Sequence, residues 1–212
     1  MIFVYNDINM NLLLTSAGLG NEKIKDFFVE KLLEGEKELS DCSVLMVAYA
    51  QNKDEQFYVD QSKSELVDIG IGDITVFNLT EEKFLADKKY DVVYVCGGNT
   101  FSILERMRIT GIDKYIKKEV IENNMLYVGV SAGSIIAGPN VEIAGWGSEG
   151  DPNDVGLTDL SGFNFTDIAV FPHFRPELSD EVSDFQKKVS YPVIALTNDE
   201  AILVDSAEHK KI

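Results

Sequence analysis

Short apolar runs rich in β-branched residues alternate along this chain with longer stretches of helical spacing, a pattern that favours a parallel sheet covered by helices on both faces. The runs NLLLT (11–15), SVLMVAYA (43–50), DITVFNL (73–79) and YDVVYVCGG (90–98) read as strands. The second does not alternate apolar with polar residues, so both of its sides are expected to be buried. Between them, Ile24, Phe27, Phe28 and Leu32 recur with helical spacing over 22–33, and a second helix over 53–70 should stop at Gly70 or Gly72. Residues 101–124 predict one helix or two parted near Gly111. A strand, a sharp turn and a helix start follow over 125–138, then an irregular loop region from 139 to 167 that is rich in Gly, Asp, Asn and Ser. AVFPHF (169–174), YPVIALTN (191–198) and EAILVDS (200–206) close the chain as strand-like pieces, the last two expected to form a hairpin across Asn198 and Asp199. The expected architecture is one α/β domain over 1–212, with residues 1–9 read as an N-terminal extension before the first strand.

Charge narrows the partners. With 36 acidic against 19 basic side chains the chain carries a formal charge of −17, which repels phosphate backbones and anionic membranes. Nucleic acid and membrane are therefore not expected partners. No apolar run is long enough to span a bilayer, and MIFVYNDINM lacks the pattern of a secretion signal. Cys42 and Cys96 each sit in an apolar strand-like run, as free buried thiols do, which fits a reducing, cytoplasmic setting. Two widely spaced histidines and no Cys-x-x-Cys leave a metal site unsupported, so no cofactor is expected.

Gly129-Val130-Ser131-Ala132-Gly133 places a serine in a G-x-S-x-G frame between a hydrophobic strand and a helix start. That context is the one a nucleophile elbow needs, because small neighbours let the serine adopt a strained backbone and stand exposed. Serine needs a base, and histidine is the side chain whose ordinary pKa suits proton transfer near neutral pH. His209 lies in the charged tail AEHKKI and reads as solvated and mobile, whereas His173 ends an apolar strand beside Pro172. The acid that should orient His173 is not unique: Asp199 and Glu200 lie at the late turn, and Glu149, Asp151 and Asp154 in the loop after the elbow. Cys96-Gly97-Gly98-Asn99-Thr100 joins a strand to a helix, where the glycines can bring backbone N–H groups to a reacting carbonyl or simply form a turn capped by Asn99 or Thr100. Cys96 itself precedes no elbow.

VCGGNTFSILERM, GVSAGSIIAGP and FPHF, taken together, resemble peptidase E of peptidase family S51, a group of aspartyl dipeptidase-like serine peptidases. The resemblance runs from Met10 to Asp205. It implies a flavodoxin-like fold of the class I glutamine amidotransferase type, with Ser131 as nucleophile, His173 as base, and Gly98 and Ala132 as oxyanion-hole donors. Asn99 and Arg175 are the residues expected to bind substrate. The third member's place falls near Asn198, Asp199 and Glu200 without a unique choice, with Glu200 or Asp199 the expected acid, since Trp146 stands near the place of an acid after the elbow. The chain also lacks the longer arginine-bearing segment that follows the histidine in aspartyl dipeptidases, which leaves Arg175 as its substitute. The expected activity is hydrolysis of small peptides through an acyl-enzyme by a monomer or homodimer. The alternatives are an esterase of the same fold or a catalytically silent binding protein.

Overall fold

The apolar runs form β1 (Asn11–Thr15), β2 (Ser43–Ala48), β3 (Asp73–Asn78), β4 (Val92–Val95) and β5 (Leu126–Val130). The computed structural model describes residues 11–34, 37–205 and 208–212. The extension expected at 1–9 lies outside the described residues. Later in the chain come β6 (Ala169–Phe171), β7 (Val193–Ala195), β8 (Ala201–Asp205) and β9 (Glu208–Lys211). The principal sheet runs β3-β2-β4-β5-β1-β8-β9. Its first five members are mutually parallel, and β8 and β9 extend it antiparallel. The expected mostly parallel sheet is therefore present.

The helices are α1 (Glu22–Leu33), α2 (Lys53–Ile69), α3 (Thr100–Thr110), α4 (Ile112–Asn123), α5 (Ala132–Ala137) and α6 (Ser179–Lys188). Local chemistry sets their ends. Asn21 and Asn52 accept the first free N–H groups of α1 and α2. Gly70 ends α2 at φ 107°, and Gly111 parts α3 from α4 at φ 79°, so the expected break falls at the glycine.

Because side chains alternate across a strand, the central strands feed two cores. Leu12 and Leu14 of β1 point to the face covered by Phe101, Leu104, Met107, Ile116 and Ile136. Leu13 faces the opposite core with Ile24, Phe28, Leu66 and Met46. Each such leucine or phenylalanine contributes about 1.5–3 kcal/mol when fully buried, and the doubly covered strands β2, β4 and β5 are accordingly apolar throughout.

Three expectations at the C-terminal end are corrected. YPVIALTN and EAILVDS do not pair as a hairpin: β7 lies parallel to β6 in a separate two-stranded sheet, while β8 pairs with β1 and β9. A turn does form at 197–200, closed by Glu200 N–H donating to Thr197 O at 3.1 Å, but it carries the chain from one sheet to the other. The crossover from β6 to β7 is α6, for which no helix was expected because Phe185 is its only buried side chain. His209 is not in a loose tail. It lies in β9 opposite Val204, with Nε2 3.0 Å from Thr166 Oγ1.

Candidate active site

β5 is central in the sheet, and the chain leaving its C-terminal end turns directly into α5, with Ser131 at the junction. Such strand ends are where open α/β sheets place their sites. The turn is tight enough to dictate its glycines. A Cβ at Gly129 would lie 2.7 Å from backbone atoms of Gly133 and Ser134, and one at Gly133 would lie 2.4 Å from Val95 O. Ser131 is held at φ 48°, ψ −106°. Among the described residues positive φ outside glycine occurs at Asn124, Ser131, Asn164 and His173. Asparagine and histidine are the residues besides glycine most often found there, so the strain concentrates on Ser131, whose ψ of −106° lies outside the left-handed well.

Hydrogen bonds from the end of β1 hold the elbow. Thr15 O accepts from Ser131 N–H at 3.0 Å and from the Ser134 hydroxyl at 2.7 Å. Ser131 Oγ stands 2.9 Å from His173 Nε2. The structure thus brings together the expected serine and histidine across 42 residues of chain.

Behind the histidine the expected acid is absent. His173 Nδ1 is 2.7 Å from Asn198 Oδ1, so an amide stands where Asp199 or Glu200 was expected. Glu200 is engaged elsewhere, accepting from Thr197 N–H at 2.8 Å and pairing with Lys211 Nζ at 2.9 Å. Burial alone would raise its carboxyl, but the Thr197 N–H and the Lys211 ammonium outweigh that and hold it below the usual range. Glu149 pairs with Arg175, and Asp151 accepts from Thr100 N–H at 2.8 Å. With the amide oxygen toward it, Nδ1–H would be the donor of this contact, which would leave Nε2 to accept from the Ser131 hydroxyl.

The strand-to-helix turn at Gly97-Gly98 lies beside the elbow. A Cβ at Gly97 would lie 3.4 Å from Ser131 Cβ, and Gly98 has φ 138°. Among the described residues no acceptor is assigned to the N–H of Gly98 or of Ala132. Asn99, expected to bind substrate, instead caps α3: its Oδ1 accepts from Ser102 N–H and its Nδ2 donates to Pro152 O, both at 2.9 Å. Arg175, the other expected substrate ligand, is committed to Glu149.

A cavity of about 120 Å³ opens against Ser131, Gly98 and His173. Its apolar wall is formed by Ile135, Ile143, Ala144, Trp146, Phe171 and Leu178. The charged side chains lining it are Glu149, Asp151 and Glu181, and no lysine or arginine lines it among the described residues. Trp146 is fixed by donating Nε1–H to Glu181 O at 2.9 Å. Among the described residues no cluster of side chains is arranged to hold a metal ion, and no helix is long and apolar enough to cross a membrane.

Cys96 closes β4 on the far core, 5% exposed. Burial pushes its thiol up to about 12, with the Glu65 carboxylate adding to the rise. Cys42 is raised too, first by burial and then by Asp91. A raised thiol stays protonated until pH climbs toward the shifted value, so neither is a nucleophile near neutrality. Iodoacetamide on the native protein at neutral pH is expected to leave both thiols unmodified by mass spectrometry. Rapid alkylation of Cys96 would contradict the protonated, buried thiol.

A strained serine on a strand-to-helix turn and a histidine at hydrogen-bond distance thus lie together at the end of a central strand of an open α/β sheet. Comparison with known proteins places the chain in a family. The model of peptidase family S51 matches residues 12–212. An uncharacterized peptidase of Listeria innocua is 34% identical over 208 residues, covering 93% of this chain and 94% of its own. Peptidase E of Salmonella typhi is 29% identical over 58% of this chain and 51% of its own. A crystal structure of a candidate peptidase E protein from Listeria monocytogenes superposes with a TM-score of 0.75 at 27% identity, covering 96% of this chain and 98% of that one. A peptidase from an acI-B1 actinobacterium shares the fold alone, with a TM-score of 0.67 at 13% identity over 100% of this chain and 90% of that one. The chain belongs to peptidase family S51. Its α/β frame is the class I glutamine amidotransferase-like, flavodoxin-like one expected from the three motifs.

Proposed function

We propose that the protein is a serine peptidase that hydrolyses small peptides through an acyl-enzyme on Ser131. The observation that carries this reading is the 2.9 Å contact between Ser131 Oγ and His173 Nε2 at the mouth of a cavity. As Ser131 Oγ bonds to the scissile carbonyl carbon, its proton passes to Nε2. The carbonyl oxygen becomes an oxyanion, for which the N–H groups of Gly98 and Ala132 are the donors at hand. Collapse breaks the C–N bond, and the imidazolium returns the proton to the departing amine. Water, deprotonated by the same nitrogen, then releases the acyl group as a carboxylic acid and restores the serine. Asn198 accepts from Nδ1–H throughout and keeps the ring in the orientation that proton transfer needs.

The cavity also sets an expectation for the residue that donates the acyl group. Its walls of Ile135, Ile143, Ala144, Trp146, Phe171 and Leu178 are apolar, so it suits an uncharged side chain. Asp151 and Glu181 on its wall form no ion pair among the described residues and disfavour a further carboxylate, while Glu149 and Arg175 neutralise each other. Asparagine and aspartate have the same shape, so Asn-X and Asp-X dipeptides isolate the charge. We expect kcat/KM for Asn-X to exceed that for Asp-X by at least about tenfold, equivalent to 1.4 kcal/mol. Preference for Asp-X would show a carboxylate site in this cavity and overturn the neutral-side-chain assignment. Absence of hydrolysis across the whole dipeptide series would count against the peptidase reading itself.

A further inference from the structure

The tautomer of His173 depends on which end of the Asn198 amide faces it. With Oδ1 toward Nδ1 the ring proton sits on Nδ1 and Nε2 is a base. With the NH₂ group toward Nδ1 the proton moves to Nε2, and the ring can no longer take a proton from Ser131. A carboxylate at this position would need no such choice, since both its oxygens accept. An amide needs something to orient it, and Asn198 is exposed, so water would solvate either orientation.

Ser16 supplies the missing selection. It follows β1 directly and is completely buried. Its Oγ accepts from His173 N–H at 2.7 Å and lies 3.3 Å from Asn198 Oδ1. The single hydroxyl proton therefore has an acceptor only if Oδ1 is the end of the amide that faces inward. With the amide reversed, Ser16 Oγ would face two donors and its own proton would be orphaned beyond the reach of water. The same serine restrains the backbone of His173 at φ 55°. Its neighbour Thr15 holds the elbow through Thr15 O. One dipeptide at the end of β1 thus ties the serine turn and the histidine turn together.

We infer that Ser16 is a positioning residue, which orients the Asn198 amide and thereby sets His173 in the Nδ1–H tautomer. The inference rests on reading Ser131 and His173 as nucleophile and base, but its first test does not need turnover. In ¹⁵N–¹H spectra of uniformly labelled protein, neutral His173 of the wild type should show the Nδ1–H pattern. In Ser16→Ala a substantial Nε2–H population should appear. An unchanged tautomer in Ser16→Ala overturns the inference whatever the substrate proves to be.

The second test separates orientation from mere structural support. Ser16→Ala should lower kcat by about tenfold or more with a smaller change in KM, because a base in the wrong tautomer is idle. In an Asn198→Asp background, where no amide needs orienting, the same change should cost under about threefold. Equal losses in both backgrounds would mean that Ser16 only supports the turn, and the positioning role would be withdrawn. Fluorophosphonate labelling of Ser131 in the wild type, run alongside, reports separately on the nucleophile.

Discussion

Ser131→Ala is expected to lower kcat on peptide substrates by about 10⁶, the scale on which a serine nucleophile fails when nothing replaces it. Folding should survive. The Ser131 hydroxyl points to the cavity and His173, and what holds the turn is the Ser131 N–H bonded to Thr15 O together with the two glycines that pack backbone on backbone. Alanine at 131 keeps that N–H and asks for no more room. The variant should therefore unfold near the wild-type temperature, and turnover and melting measured on one preparation check both halves. Near-wild-type turnover would remove Ser131 from the chemistry.

His173→Gln is the other large effect, expected at about 10⁴ or more in kcat, because the serine then has no base at all. Glutamine can still fill space near Ser131, but no neutral amide takes up a proton. The pH profile makes the loss specific. Protonated imidazole has no lone pair on Nε2, so wild-type kcat/KM should fall tenfold per pH unit on the acid side of a single ionisation. The residual activity of the variant should lack that limb. A wild-type profile with no acid limb, or one that the His173→Gln variant retains, contradicts the role.

Much of this site was legible because its parts are local in sequence. The elbow needs a glycine two residues before and two after the serine. Gly129 and Gly133 announce that need, because any Cβ there collides with backbone. His173 was distinguishable from His209 by the apolar strand before it. The partner of His173 was not legible. A triad is expected to end in a charge, and Asp199 and Glu200 offered one. Yet the residue brought to Nδ1 is fixed by where β7 ends beside β6, and that register places Asn198 there. Ser16 carried no signal whatever, being one small residue in a glycine-bearing loop whose role arises only when the ends of β1, β6 and β7 converge.

The missed elements share a cause. α6 buries one side chain, Phe185, so its apolar period is too thin to count. The better signal was electrostatic: Asp180 and Glu181 lie in its first turn and Lys187 and Lys188 in its last, matching the helix dipole. β9 is an edge strand with polar, exposed side chains, which is how sheet edges avoid pairing with other chains, and which in sequence looks like a solvated tail. Asn99 and Arg175 were expected at the substrate because they flank the right motifs. In the fold Asn99 caps α3 and Arg175 pairs with Glu149.

Whether Ser131 is the nucleophile is tested most directly by a fluorophosphonate probe on the native protein, followed by peptide mapping of the phosphonylated residue. The probe phosphorus should be attached to Ser131 Oγ at a single site, with labelling abolished in Ser131→Ala and strongly slowed in His173→Gln. A protein that is never labelled, or is labelled at a serine other than 131, would contradict the account.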